Sequence, residues 1–168
     1  KIDDITYDRK FVFEKNGFNF FAPEICAAFG LEQLKKFPTL YKKRVENFEY
    51  INSFISKNLS NYFVKPKQHD FIDTIWLAYP LVLNESIGKS RNDLQIFLEK
   101  KNIQTRPIFS GNVTRQPMMK NQKFNDNNSS FDNADYIMKN GMLVGCHPKL
   151  SKENLDYMCS SLKEFFDA

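Results

Sequence analysis

Residues 74–83, TIWLAYPLVL, decide the architecture. Apolar side chains fall at odd and even positions alike, which predicts a strand covered on both faces. Pro80 cannot donate to a ladder, so it is expected at an edge or a bulge. On the C-terminal side, Ser90 with Asp93 is an N-cap signature for a helix carrying Leu94, Phe97 and Leu98. A short strand over 103–107 and a long polar loop over 110–130 follow. A short helix over 132–140, with Gly141 at its C′ position, then leads into the buried strand MLVG at 142–145. Ser151 caps a last amphipathic helix with the stripe Leu155, Met158, Leu162 and Phe166.

On the N-terminal side, an extended-looking RKFVFE at 9–14 precedes Gly17 and Asn19. Pro23 sits where a helix tolerates proline, and PEICAAFGLEQLKK continues as a helix that Pro38 is expected to interrupt. A second helix is marked by Tyr41, Val45, Phe48, Ile51, Ile55 and Leu59, with Lys42, Lys43, Glu46 and Glu49 on its other face. Residues 61–73 read as a polar connector containing Lys65-Pro66. The element order predicts an α/β (α+β) domain in which a small mixed sheet is packed by helices. No repeat and no dividing linker is visible.

Composition narrows the function classes. With 42% hydrophobic and 26% charged residues the chain has the makings of a core, so wholesale disorder is excluded. Lys and Arg alternate with Asp and Glu along helical stretches, so the net charge of +4 describes a solvated surface better than a nucleic-acid stripe. Cys26, Cys146 and Cys159 stand far apart, which fits neither a zinc site nor a disulfide framework and points to a reducing cytoplasm. No apolar run is long enough to span a membrane, and the first residues lack a signal core. They also lack Met, as expected of a piece of something longer.

Chemistry is most concentrated at 103–117, IQTRPIFSGNVTRQP. Arg106 and Arg115 bracket hydroxyl, amide and glycine groups, and guanidinium groups give bidentate contacts to phosphate or carboxylate. Gly111 would let backbone approach a ligand. The plain alternative is that these arginines pair with local acids, which are few in the neighbouring sequence. Gly17-Phe18-Asn19 precedes a helix start, a weak anion-site signal. Gly145-Cys146-His147-Pro148 ends the last strand, but a neighbouring Cys and His do not make a nucleophile dyad. No P-loop, dinucleotide fingerprint or metal cluster is present.

GFNFFAPEICAAFGLEQLKKFPTLYKKRVENFEYI at 17–51, the 103–117 segment and NADYIMKNGMLVGCHPKLSKENLDYM at 133–158, in that order, resemble a known family. They are similar to the C-terminal portion of the pyridoxal-phosphate-dependent DegT/DnrJ/StrS sugar aminotransferases, in the branch that includes nucleotide-sugar 3-dehydratases. The resemblance implies the C-terminal domain of a fold-type I enzyme, with 1–60 as an interface segment and linking helices and 61–168 as the small α/β domain. It implies a homodimer, a nucleotide-linked 4-keto-6-deoxy sugar as substrate, and a role in deoxysugar or cell-surface lipopolysaccharide synthesis. Asn19 maps to the asparagine that reaches the cofactor phosphate of the neighbouring subunit. Arg106, Asn112, Arg115 and His147 map to substrate contacts at the closing domain.

The same resemblance implies that the lysine carrying the cofactor, or the histidine replacing it in dehydratases, lies upstream. This chain is therefore expected to hold no catalytic residue and no metal ligand, and to be inactive alone. Whether the product is aminated or dehydrated, which nucleotide is used, and whether an iron–sulfur cluster sits upstream are all open at this level. Two rival functions are a structural or dimerisation domain, in which both arginines are dispensable, and a nucleic-acid module, which requires steeply salt-dependent binding.

Overall fold

The structure, a computed structural model, describes residues 18, 20, 22–72, 74–122 and 130–167. Its contacts divide the chain into two units, Lys1–Phe37 and Pro38–Ala168.

The first helix, α1 (Glu24–Asn58), runs straight through the proline expected to break it. Proline deletes one intrahelical hydrogen bond, and in an exposed setting water can take the freed carbonyl. Pro38 is exposed, so two helices become one. Within Lys1–Phe37, Phe18, Phe20, Ile25, Phe29, Leu31 and Leu34 all lie exposed.

In Pro38–Ala168 the remaining elements are β1 (Phe63–Val64), β2 (Ala78–Leu83), α2 (Arg91–Lys100), β3 (Thr105–Pro107), α3 (Asp132–Asn140), β4 (Gly141–Gly145) and α4 (Lys152–Asp167). Single-turn 3₁₀ segments fall at Glu85–Ile87, Val113–Arg115 and Pro117–Met119. The sheet has the order β1-β2-β4-β3. Every pairing is antiparallel, where a mixed sheet was expected. β1 lies inside the stretch read as a connector, because two residues are too few to show a period.

β2 is an inner strand, yet Pro80 fits it. β1 pairs only with Val82 and Leu83, so Pro80 lies past its end and faces a partner strand on one side alone. The expectation that β2 is covered on both faces holds only in part. Tyr79, Leu81 and Leu83 are buried with Met142 and Val144 of β4, whereas Ala78, Pro80 and Val82 are half-covered. The buried face packs on Phe48, Ile51 and Ile55 of α1, Leu94 and Leu98 of α2, and Leu155, Met158 and Leu162 of α4. α3 touches β2 and β4, and its Tyr136 hydroxyl donates to the Leu83 carbonyl at 2.9 Å.

Two helix starts are capped as their sequences predict. Ser90 Oγ accepts from Asp93 N at 3.1 Å, and Ser151 Oγ accepts from Asn154 N at 3.2 Å. Gly141 differs from expectation. It is not the left-handed C′ residue but the extended first residue of β4, with φ −97° and ψ 139°. Space, not backbone freedom, keeps it a glycine: a Cβ there would stand 2.5 Å from the Ile137 carbonyl oxygen.

The thiols follow the burial. Burial, then Asp156, pushes Cys159 up to about 12, and burial raises Cys146 as well. Only Cys26 of the three is exposed. In the native protein at mildly alkaline pH we expect iodoacetamide to label Cys146 and Cys159 only after denaturation. Rapid native labelling of Cys159, read by peptide mass spectrometry, would contradict this packing.

Candidate functional site

β3 is the edge strand next to β4, and where the two strands meet α4 the surface opens into a cleft of about 800 Å³. Its floor is apolar, with Leu77, Ile103, Leu143, Leu150 and Met158. Its polar groups are Asn102, Gln104, Arg106, His147, Asn154 and Tyr157. An apolar floor with a few convergent polar groups is the usual form of a small-molecule site.

Arg106 sits mid-strand on β3, opposite Leu143. Neighbouring Thr105 is buried, and its hydroxyl donates to Glu99 at 2.6 Å. Alternation along the strand therefore turns Arg106 away from the core. Its Nη1 donates to the Thr105 carbonyl at 3.0 Å, Nη2 donates to the Gln104 side-chain oxygen, and the exposed residue lines the cleft. Thr105, then Gln95, then the Arg106 charge hold Glu99 below its ordinary range.

His147 follows β4 by two residues and lines the same cleft. Its Nδ1 accepts from Lys149 N at 3.1 Å, so the imidazole proton is on Nε2, free to donate. Two polar side chains of α1 hold the surrounding backbone. Asn47, fully buried, donates to the His147 carbonyl at 2.8 Å, and Arg44 Nη1 donates to the Leu77 carbonyl at 2.6 Å. Neither stands out in the sequence, where Asn47 reads as a polar interruption beside an apolar stripe.

The turn after β3 carries the other two predicted residues. Asn112 is buried, and its amide is committed within the protein. Nδ2 donates to Asp135 Oδ1 at 2.7 Å, while Oδ1 accepts from Thr114 N at 3.1 Å and Thr114 Oγ1 at 2.7 Å. Arg115 pairs with the same carboxylate in two places, Nε to Oδ1 at 3.1 Å and Nη2 to Oδ2 at 2.7 Å. Thus Arg106 and His147 share the cleft, and Asn112 and Arg115 share Asp135. Asn19 lies outside the described residues.

Asp135 is the residue that sequence reasoning misses. It lies 20 positions beyond Arg115, in the first turn of α3. Arg115 and then Asn112 hold its carboxyl below the usual range, and Asp135 in turn raises Arg115. The sign is that of a paired acid. The pair stabilises the fold above the unfolded carboxylate pKa of about 3.9 and loses that contribution as pH falls through the depressed value. Gly111, at φ 63°, lays the turn against α3, where a Cβ would stand 2.5 Å from Met138 Cγ. Among the described residues no group of three or more potential metal ligands occurs, and no helix is long and apolar enough to cross a membrane.

Comparison with known proteins gives this geometry a context. The model of the DegT/DnrJ/EryC1/StrS aminotransferase family matches residues 3–163. The lipopolysaccharide biosynthesis protein RfbH of Salmonella typhimurium is 32% identical over 95% of the chain, which spans 36% of that relative's length. E. coli GDP-4-keto-6-deoxy-D-mannose-3-dehydratase with bound hydrated PLP superposes with a TM-score of 0.77 at 30% identity, covering 92% of this chain and 39% of that one. A mutant GDP-4-keto-6-deoxymannose-3-dehydratase with bound GDP-perosamine superposes at 0.79 and 29% identity, covering 95% and 40%.

Proposed function

Since the chain belongs to the DegT/DnrJ/EryC1/StrS aminotransferase family, we propose that it is the substrate-closing part of a pyridoxal-phosphate enzyme acting on a nucleotide-linked 4-keto-6-deoxy sugar. The observation that carries this reading is Arg106 held at the rim of an apolar cleft that His147 also lines. A sugar nucleotide offers phosphate oxygens, hydroxyls and a deoxy methyl group. Arg106 binds the anionic oxygens, the Nε2–H of His147 donates to a sugar oxygen, and the floor takes apolar surface and excludes water. Arg115 extends the anion contact from the turn, and Asn112 holds that turn in shape.

Pyridoxal phosphate supplies the electron sink for such reactions when bound. Among the described residues no lysine lines the cleft, so its residues do not fit the attachment of that cofactor there. The part of this chain is to bind, orient and dehydrate the substrate's surroundings. The similarity to two dehydratase structures favours loss of the C3 hydroxyl over amination at C4.

The exposed apolar side chains 18–34 of the Lys1–Phe37 unit support a homodimer, because apolar groups clustered at a surface mark contact with another chain. The cytoplasm is the fitting compartment for nucleotide-sugar chemistry. The decisive assay incubates the full-length protein with pyridoxal phosphate, glutamate and GDP-4-keto-6-deoxymannose. Mass spectrometry should show a product that has lost the C3 oxygen. An unchanged sugar in this and in the other nucleoside-diphosphate series would overturn the reading. Sedimentation of the same protein tests the dimer, and a monomer would refute it.

A further inference from the structure

We propose that Asp135 is a positioning residue that presents one edge of Arg115 to the diphosphate of the substrate. The inference rests on the nucleotide-sugar reading above and assigns a role to a residue outside the cleft.

A guanidinium has five N–H donors arranged along two usable edges, one formed by Nε and Nη2 and the other by Nη1 and Nη2. Asp135 occupies the first edge completely, at 3.1 and 2.7 Å. Nη1 donates to none of the described residues, so three of the five donors point elsewhere in a fixed plane. A carboxylate that grips Nε and Nη2 removes rotation about the last bonds of a side chain that is otherwise 60% exposed. The free edge is thereby set for a second bidentate acceptor, and a phosphate matches it.

The same carboxylate shapes the backbone. Asp135 Oδ1 also accepts from Asn112, and the Asn112 carbonyl-type oxygen caps the single turn Val113–Arg115 through Thr114 N and Oγ1. Gln116 Nε2 closes the turn by donating to the Ser110 carbonyl at 2.8 Å. One acid on α3 therefore fixes both where the Arg115 backbone starts and where its side chain ends. A rival effect has the opposite sign: a carboxylate beside an anion site repels the anion. That repulsion is weakened here by water, since Asp135 is itself 35% exposed. Ordering of the guanidinium should win.

The test measures binding of inorganic pyrophosphate and of GDP to the full-length protein by calorimetry. Asp135→Asn should weaken both about tenfold, the factor for one charge-assisted hydrogen bond, and Arg115→Ala should do the same. The double variant should be no weaker than either single one. Combination of Asp135→Asn with Arg106→Ala should be additive, because Arg106 is held independently by β3. Arg115→Lys keeps the charge without the two-edged plane, and removal of Asp135 should then cost almost nothing. If Asp135→Asn unfolds, Asp135→Glu serves instead: it keeps a carboxylate facing Asn112 and Arg115 but is one methylene longer, so it should misplace the guanidinium and lose part of the same affinity, and unchanged binding in a folded Asp135→Glu protein overturns the positioning role.

Each remaining outcome is decisive. Tighter or unchanged binding in Asp135→Asn, with Arg115→Ala weakened, overturns the positioning role and leaves the nucleotide reading standing. An equal loss from Asp135→Asn in the Arg115→Ala background overturns it too. No loss from either Arg106→Ala or Arg115→Ala removes the nucleotide reading itself.

Discussion

Arg106→Ala in the full-length protein is expected to weaken nucleotide-sugar binding by about ten- to a hundredfold, the range for losing hydrogen bonds to a charged group. The loss should not be compensated by neighbours. Arg106 projects from the middle of a paired strand whose register is fixed by Thr105–Val144, Arg106–Leu143 and Pro107–Met142. Its polar neighbours at the rim, Gln104 and Asn102, are neutral amides that cannot replace its charge. Stability should hardly change, because Arg106 is exposed and its guanidinium contacts only the adjacent Thr105 carbonyl and the neighbouring Gln104 amide oxygen. Arg106→Lys should recover part of the affinity, through charge without the bidentate plane. Calorimetric titration with GDP reads all three proteins, and an alanine variant within twofold of the parent would remove Arg106 from the site.

The parts of this fold that were legible in the sequence are those set within a few residues. Ser90 and Asp93 announce the start of α2, and the short helix expected over 132–140 matches α3, although Gly141 after it is extended rather than left-handed. Parts set by distant partners were not legible. The Asn47 amide meets the His147 carbonyl across 100 positions, and the Arg115 guanidinium meets Asp135 across 20. Nothing local marks either contact. Arg115 has few acids near it in sequence, yet the fold brings it one from the next helix.

Asn112 shows the same limit from the other side. An amide beside glycine in a polar turn has the residue type of a ligand contact, and only burial reveals that its oxygen and one N–H are already engaged. Pro38 is a case where a sound local rule loses. The rule concerns a lost hydrogen bond, and exposure makes that loss tolerable. The residue types at 103–117 marked a candidate segment, while the structure shows that Arg106 lines the cleft and that Asn112 and Arg115 share Asp135.

Gly141→Ala is expected to destabilise the protein by about 1–3 kcal/mol through overpacking, with up to about 1 kcal/mol returned by the stiffer unfolded chain. α3 passes into β4 without a loop, and Gly141 N–H donates to the Ile137 carbonyl as the helix ends. An added Cβ would stand 2.5 Å from that same carbonyl oxygen and 2.7 Å from Ile108 Cδ1. The isoleucine can rotate, but the carbonyl cannot move without tilting α3 off the sheet. Gly145→Ala is the control: its Cβ would meet nothing within 4 Å, and its backbone is not left-handed. It should stay within about 0.5 kcal/mol of the parent. Denaturant midpoints separate the two, and equal shifts would show that the helix–strand junction is not the constraint. The tilt has a functional reading as well. α3 carries Asp135, and Met138 packs beneath Gly111, so displacing the helix should loosen Arg115 together with the turn that holds it. Gly141→Ala should therefore lose pyrophosphate affinity to about the extent that Asp135→Asn does, while leaving the contribution of Arg106 in place.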